Sequence, residues 1–167
     1  MLKEFIDQLN KLPEKALTRA TGIDTDKPLI GIISAQNDLS FAHSNLEELV
    51  ARVEQGVIAN GANAKVLHIA TVDCSVLRGQ SAKYDLPSRH FTSYSVELIC
   101  SNDFYDGLVF VASEPTVVCG MLIAAIRLNI PCTFVCGGTM SPILHQHKEY
   151  GYSFFYEQMA DIKNGKV

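Results

Sequence analysis

Asp73, Glu114, His43 and the pair His145 and His147 are the side chains of this chain whose types could hold a cation, with the thiols of Cys74 and Cys119 at comparable positions. Carboxylate and imidazole together suit zinc, manganese or iron. A carboxylate at a strand end is poorly placed for a core and well placed for a hard cation such as magnesium, which is the reading for Asp73. Cys119 stands just before an expected helix, where amides without partners favour a thiolate, although a small apolar cap under a sheet edge suits it as well. His145-Gln146-His147 offers two imidazoles and equally reads as a polar surface loop. Gly137-Gly138-Thr139 makes a tight turn whose amides could cradle an anion, a weak signal in a lone Gly-Gly. Asn37, Asp38 and Arg78 complete the polar set, and none of these residues is assigned a catalytic role.

These residues need a scaffold that brings them together, and the periodicity of the chain supplies one. Short apolar runs at 29–34, 65–71, 107–112 and 132–135 read as strands. Between the first two, Leu46, Leu49, Val50, Val53 and Val57 recur at helical spacing, opened by Ser44-x-x-Glu47 as a capping box and closed near Gly61. A second helix is expected over 88–100 with Phe91, Tyr94, Ser95 and Leu98 toward its buried side, and a third over 120–128. Alternating strands and helices imply an α/β fold, a mostly parallel sheet of about four strands with helices on both faces. Residues 1–26 form an N-terminal helical segment, with Leu2, Phe5, Ile6, Leu9 and Leu12 on one side, a break at Pro13 and a short helix at 16–20. Residues 27–167 form the α/β domain, single overall. No periodicity is clear over 141–152, and a last helix is expected over 155–163.

In an open parallel sheet, ligands bind beyond the carboxyl ends of the strands. The loops 35–43, 72–87, 113–119 and 137–147 meet there and carry the whole polar set to one edge. Taken singly, each of these residues is most simply an ordinary solvated loop residue.

Composition narrows the classes of function. The chain has 167 residues, 47% apolar and 19% charged, a globular balance for one domain. A formal charge of −4 with scattered Lys and Arg leaves no footprint for nucleic acid. The longest apolar run, 117–126, falls short of the roughly 20 residues that span a bilayer. Acids interrupt the first apolar residues, unlike a secretory signal, so a cytoplasmic location without a membrane is expected. Five cysteines without tight pairing fit reduced thiols. On a strand, Cys132 and Cys136 would stand about 13 Å apart and could not share a metal; both are expected in the core.

The layout of several motifs resembles the amino-terminal domain of the dihydroxy-acid and phosphogluconate dehydratases. Lys83-Tyr84-Asp85-Leu86-Pro87-Ser88-Arg89 lies between Asp73 and Asp106-Gly107-Leu108-Val109. Lys27-Pro28-Leu29-Ile30-Gly31-Ile32 precedes them; Gly120-Met121-Leu122, Arg127-Leu128-Asn129-Ile130-Pro131 and Gly137-Gly138-Thr139 follow. The resemblance implies water elimination from a sugar acid or branched dihydroxy acid to give a 2-keto acid. In that chemistry an iron–sulfur cluster acts on the leaving hydroxyl and magnesium holds the carboxylate end. It places Asp73 at a magnesium-binding aspartate and His43 in a site loop, Asn37 to His43. Ala42 stands where the dihydroxy-acid branch has a cluster cysteine and the phosphogluconate branch an alanine.

After the third strand the departure is larger. Where the resemblance implies Cys-Asp-Lys, supplying a cluster thiolate, a magnesium ligand and a modified lysine, the chain reads Glu114-Pro115-Thr116, and Cys119 replaces a proline. The sequence also ends before the region of the last cluster cysteine and the covering domain. The expectation is therefore a dehydratase-like domain without dehydratase activity that binds a small hydroxy acid, an anion or a subunit. No iron–sulfur cluster is expected, and magnesium only at Asp73. The partner would be a second copy, giving a homodimer, or a subunit resembling the covering domain. The alternative is half of a split hydro-lyase.

Overall fold

Leu29–Ser34 (β1) and Gly107–Ala112 (β3) are nearly unbroken apolar runs, the composition of strands covered on both faces. They lie side by side at the centre of a four-stranded parallel sheet, in the order β2-β1-β3-β4, with Asn63–His68 (β2) and Cys132–Cys136 (β4) at its edges. Ile32 pairs with Val66 on one side and Val109 on the other, while Phe110 faces Phe134 with ring centroids 4.7 Å apart. The computed structural model describes residues 12–38, 40, 42–43, 45–72, 83–101, 105–138, 142–145, 147–151, 153–154, 157–158 and 163–164.

Helices connect the strands: Leu46–Ala59 (α2) joins β1 to β2, Asp85–Cys100 (α3) lies between β2 and β3, and Pro115–Leu128 (α4) joins β3 to β4. The chain moves outward from β1 in both directions, so right-handed crossovers put α2 on one face and α3 with α4 on the other. A core of Ile32, Ile33, Phe110, Val111, Val96, Val117 and Met121 is closed between these layers. Upstream, Leu12–Ala20 (α1) precedes the sheet. The segment between is tied down by Asn63, whose Nδ2 donates to the carbonyls of Asp24 (2.7 Å) and Lys27 (3.2 Å) and whose Oδ1 accepts from Asp24 N (3.0 Å).

Most strand positions match the sequence reading, and the differences have physical causes. β2 begins two residues earlier than expected and ends at His68. The short helix expected over 16–20 starts earlier, at Leu12, with Pro13 in its first turn, where the missing N–H costs nothing; the helix expected before Pro13 lies outside the described residues. The N-cap of α2 is Asn45 rather than Ser44, and it makes no side-chain cap bond; its amide Nδ2 donates instead to Gly137 O (3.2 Å). Ser44 lies outside the described residues. Helix α4 starts at Pro115, five residues before the expected start, because Glu114 caps it. A hairpin of Ile143–His145 (β5) and Lys148–Tyr150 (β6) occupies the segment without periodicity. The expected last helix lies largely outside the described residues.

The largest correction concerns α3. Phe91, Tyr94 and Leu98 are exposed and Ser95 is half-buried, while Thr92, Ser93, Val96 and Cys100 are buried. Close packing of α3 on α4 requires small side chains at the contact. A Cβ added at Gly120 would lie 2.5 Å from Arg89 O and 2.8 Å from Thr92 Cβ, so the two helices approach at a point where only glycine fits. Cys132 and Cys136 are likewise exposed rather than in the core, since β4 is an edge strand.

A side-chain bridge locks the same pair of helices. Arg127 Nη1 donates to Glu97 Oε1 (2.9 Å), which also accepts from the Ser93 hydroxyl (2.5 Å). The Ser93 hydroxyl is the main reason the Glu97 carboxyl is held below its ordinary value of 4.5; burial opposes this and Arg127 adds to it. Among the described residues no helix is long and apolar enough to cross a membrane.

Two outcomes follow for stability. Gly120→Ala is expected to lower the unfolding free energy by about 1–3 kcal/mol through overpacking, although alanine is intrinsically the better helix former by about 1 kcal/mol. Gly56→Ala, where an added Cβ meets nothing within 4 Å, is expected to raise it; urea titrations of both variants check this contrast. Because the folded carboxyl of Glu97 titrates below 4.5, its contribution is full above that pH and is lost as pH falls through the lowered value. Glu97→Gln should therefore flatten the acid limb of stability against pH while leaving the slope above pH 6 unchanged, within about 0.3 kcal/mol.

Candidate functional site

The reversal of strand order at β1, with β2 added on one side and β3 on the other, opens a crevice between the carboxyl ends of β1 and β3, where doubly wound sheets hold their ligands. The residues after β1 enter it first. Ser34 Oγ accepts from Gln36 N (3.1 Å), turning the chain, and half-buried Asn37 reaches across to donate to Thr71 O (3.3 Å). Asp38 is exposed, whereas His43 is fully buried at the start of α2. His43 Nε2 accepts a hydrogen bond from the Glu114 backbone N–H at 3.3 Å. In this geometry Nε2 carries no proton and the imidazole acts as an acceptor that joins the β1 loop to the end of β3.

Glu114 occupies the end of β3 and is 3% exposed. Its carboxylate turns back along the chain, with Oε2 accepting from Val117 N at 2.8 Å. Glu114 is thus the N-cap of α4, and Pro115 follows at the first helical position, where proline is tolerated best. Thr116 is engaged as well: its hydroxyl donates to Asp85 Oδ1 (2.9 Å) in the first turn of α3. All three residues of Glu114-Pro115-Thr116 serve to start one helix and to fasten it to its neighbour.

Cys119 does not stand before a helix. It lies within α4, beyond the first-turn amides that would favour a thiolate, and it is exposed. Gly137 and Gly138 do lie at the carboxyl edge, after β4. A Cβ on Gly137 would come within 2.5 Å of both Leu46 Cδ2 and Ser113 Oγ, so glycine lets the end of β4 pass over the start of α2. Gly138 has φ +75°, a left-handed turn residue. His147 is exposed in the β5–β6 turn with φ 62°, and His145 pairs with Lys148 across that hairpin. Asp73, Cys74, Arg78 and Thr139 lie outside the described residues.

A cavity of about 340 Å³ at this edge is lined by Asn45, Glu48, Leu49, Arg52, Cys136 and Gly137. Asn45 Oδ1 and Ser113 Oγ are buried beside Gly137 without hydrogen-bond partners among the described residues. The sequence reading omitted Asn45, Arg52 and Cys136. Nothing in the spacing of the charged residues of α2 shows that the end of β4 returns over them.

The donor set around Glu114 does not fit an iron–sulfur cluster or a magnesium ion. Glu114 presents a carboxylate turned back toward Val117 N where a cluster calls for a thiolate, Pro115 has no side-chain donor, and Thr116 offers a neutral hydroxyl bonded to Asp85. Among the described residues, no three His, Cys, Asp or Glu side chains converge as a metal site requires.

Comparison with known proteins places this geometry in context. The family described as dihydroxy-acid/6-phosphogluconate dehydratase N-terminal matches residues 27–167. A dihydroxy-acid dehydratase of Moorella thermoacetica is 31% identical over 163 residues, covering 95% of this chain and 30% of that protein. One from Methanococcus vannielii is 34% identical over 159 residues, covering 93% and 29%. One from Dehalococcoides mccartyi is 37% identical over 136 residues, covering 79% and 24%. The chain thus spans less than a third of the length of these relatives.

Glu114→Ala removes the buried cap and is expected to lower the unfolding free energy by about 1–2 kcal/mol. Glu114→Gln retains an oxygen acceptor for Val117 N–H and should lose less. Equal stability of Glu114→Ala and the parent in urea would show that the cap does not hold α4.

Proposed function

The chain belongs to the dihydroxy-acid/6-phosphogluconate dehydratase family, as an N-terminal domain of it, and from that premise we propose that it performs no dehydration of its own and acts as a subunit-interaction module. The observation that carries this reading is the bond from Val117 N to the buried carboxylate of Glu114. Resemblance to the family puts a cluster thiolate at position 114, and the side chain that stands there is a carboxylate turned back to cap a helix. Pro115 has no side-chain donor for the adjoining magnesium position, and Thr116 sets a neutral hydroxyl where the modified lysine is implied. Without the electrophile and the clamp on the substrate, electrostatic stabilisation of the transition state has no source at this edge.

Binding of a small hydroxy acid is favoured by one feature, the cavity beside Arg52. Glu48 lies 3.5 Å from Arg52 and offsets its charge, and both side chains are largely exposed, so the cavity offers an anion little field. The interaction reading therefore stands first.

Iron and acid-labile sulfide per chain, measured after anaerobic reconstitution with magnesium present, test the reading. The expected result is iron and sulfide far below one cluster per chain and no 2-keto acid formed from a dihydroxy acid. Stoichiometric iron with sulfide, or turnover by the isolated chain, would sink it.

A further inference from the structure

Glycine follows asparagine at Asn60-Gly61, where α2 ends, and again at Asn164-Gly165. In this dipeptide the glycine nitrogen, unshielded by a side chain, can attack Cγ of the asparagine amide. At Asn60 both reacting groups are held. Its Nδ2 donates to Gly56 O (2.8 Å), and the Gly61 N–H donates to Ile58 O (3.0 Å). Asn60 has φ −91° and ψ 13°, near-helical angles that turn the Gly61 nitrogen away from the Asn60 side chain. Ala62 N adds a long bond to Val57 O (3.4 Å). These bonds satisfy the last carbonyls of α2.

Little else holds that turn. Gly56, Ile58, Ala59 and Asn60 are all exposed, Ile58 by 57%. Gly56 is the poorest helix former short of proline, and a Cβ there would meet nothing within 4 Å. Exposed hydrogen bonds with few buried contacts open locally while the rest of a domain stays folded. Each opening frees the Asn60 backbone and releases Nδ2 and the Gly61 N–H together.

We infer that Asn60 is a site of spontaneous conversion to aspartate and isoaspartate, and that the cap of α2 is the brake on it; the inference stands apart from the interaction reading. The bond from Gly61 N to Asn60 Cγ forms, the Cγ–Nδ2 bond breaks, and ammonia leaves with the proton of the glycine N–H. Water then opens the cyclic imide. Attack at Cγ restores the chain with aspartate, and attack at the backbone carbonyl leaves isoaspartate, with one extra atom in the backbone. Either product sets a carboxylate in place of the Nδ2 donor at the negative end of the helix dipole, where the last turn has no basic residue to offset it. The cap cannot re-form as before. Asn63 stands three residues on and clasps Asp24, so the change also loosens the hold of β2 on the segment before β1.

Peptide mapping of the whole chain, aged in mildly alkaline buffer, tests this by following amide-to-acid conversion at Asn60 separately from Asn164. A synthetic peptide of residues 56–66 gives the rate without the cap. Conversion is expected at Asn60 in the folded chain, more slowly than in the peptide. Gly56→Ala leaves the reacting dipeptide intact and should slow it about four- to five-fold, the difference in helix propensity between glycine and alanine. Gly120→Ala weakens the distant contact of α3 with α4 and should leave the rate unchanged. An Asn60 that stays intact over many half-lives of the peptide overturns the site. Conversion as fast as in the peptide, indifference to Gly56→Ala, or acceleration by Gly120→Ala, which would mean that the whole domain must unfold, overturns the cap as the brake. In the modified fraction, separated by charge, the Asp24 N–H that donates to Asn63 Oδ1 must exchange faster with solvent; unchanged exchange overturns the loosening of the clasp.

Discussion

A helix that begins inside a protein must find partners for its first amides, and at the end of β3 that demand falls on Glu114. Its carboxylate satisfies Val117, its backbone N–H is taken by His43, and Pro115 removes one amide from the account altogether. The loop after β1, the end of β3 and the start of α4 are therefore joined through one residue at the point where the order of strands reverses. Thr116 extends the helix start by fastening α4 to Asp85 of α3.

The close approach of α3 and α4 has a cost on the far side. Small residues at the contact, Gly120 against Thr92, let the helices come together, and the large apolar residues of α3 are then left on the outside. In an isolated doubly wound domain that outer face would be polar. The internal economy of the layer and its external stickiness are two aspects of one packing choice.

Much of the architecture was legible because strand signals are strong where both faces are buried: β1 and β3 match their apolar runs residue for residue. The parallel order followed from the alternation of strands and helices. The faces of helices were less legible. Periodicity locates an apolar stripe without saying whether it meets the sheet or the outside, and Phe91, Tyr94 and Leu98 were assigned inward for that reason. Helix starts were obscured by proline, which ends one helix and opens another; only the acceptor before Pro115 distinguishes the cases. At the site, His43 and Glu114 were legible as residues at one edge, whereas their mutual bond was not, since 71 residues separate them and neither spacing nor type implies it. The β5–β6 hairpin lacks the Asn-Gly or Gly-containing turn that announces such a motif, and His147 takes the left-handed conformation instead.

Asn63 bears on where this domain can be said to begin. Family similarity starts at residue 27, yet Asn63 at the head of β2 grips Asp24 on both its carbonyl and its N–H. Shorn of the residues before 27, the amide would keep its bonds to Lys27 and Pro28 and lose the pair with Asp24, at the mouth of an edge strand. The unit that similarity delimits and the unit that hydrogen bonds delimit thus differ by a short stretch of chain, and the physical seam lies upstream of the genealogical one.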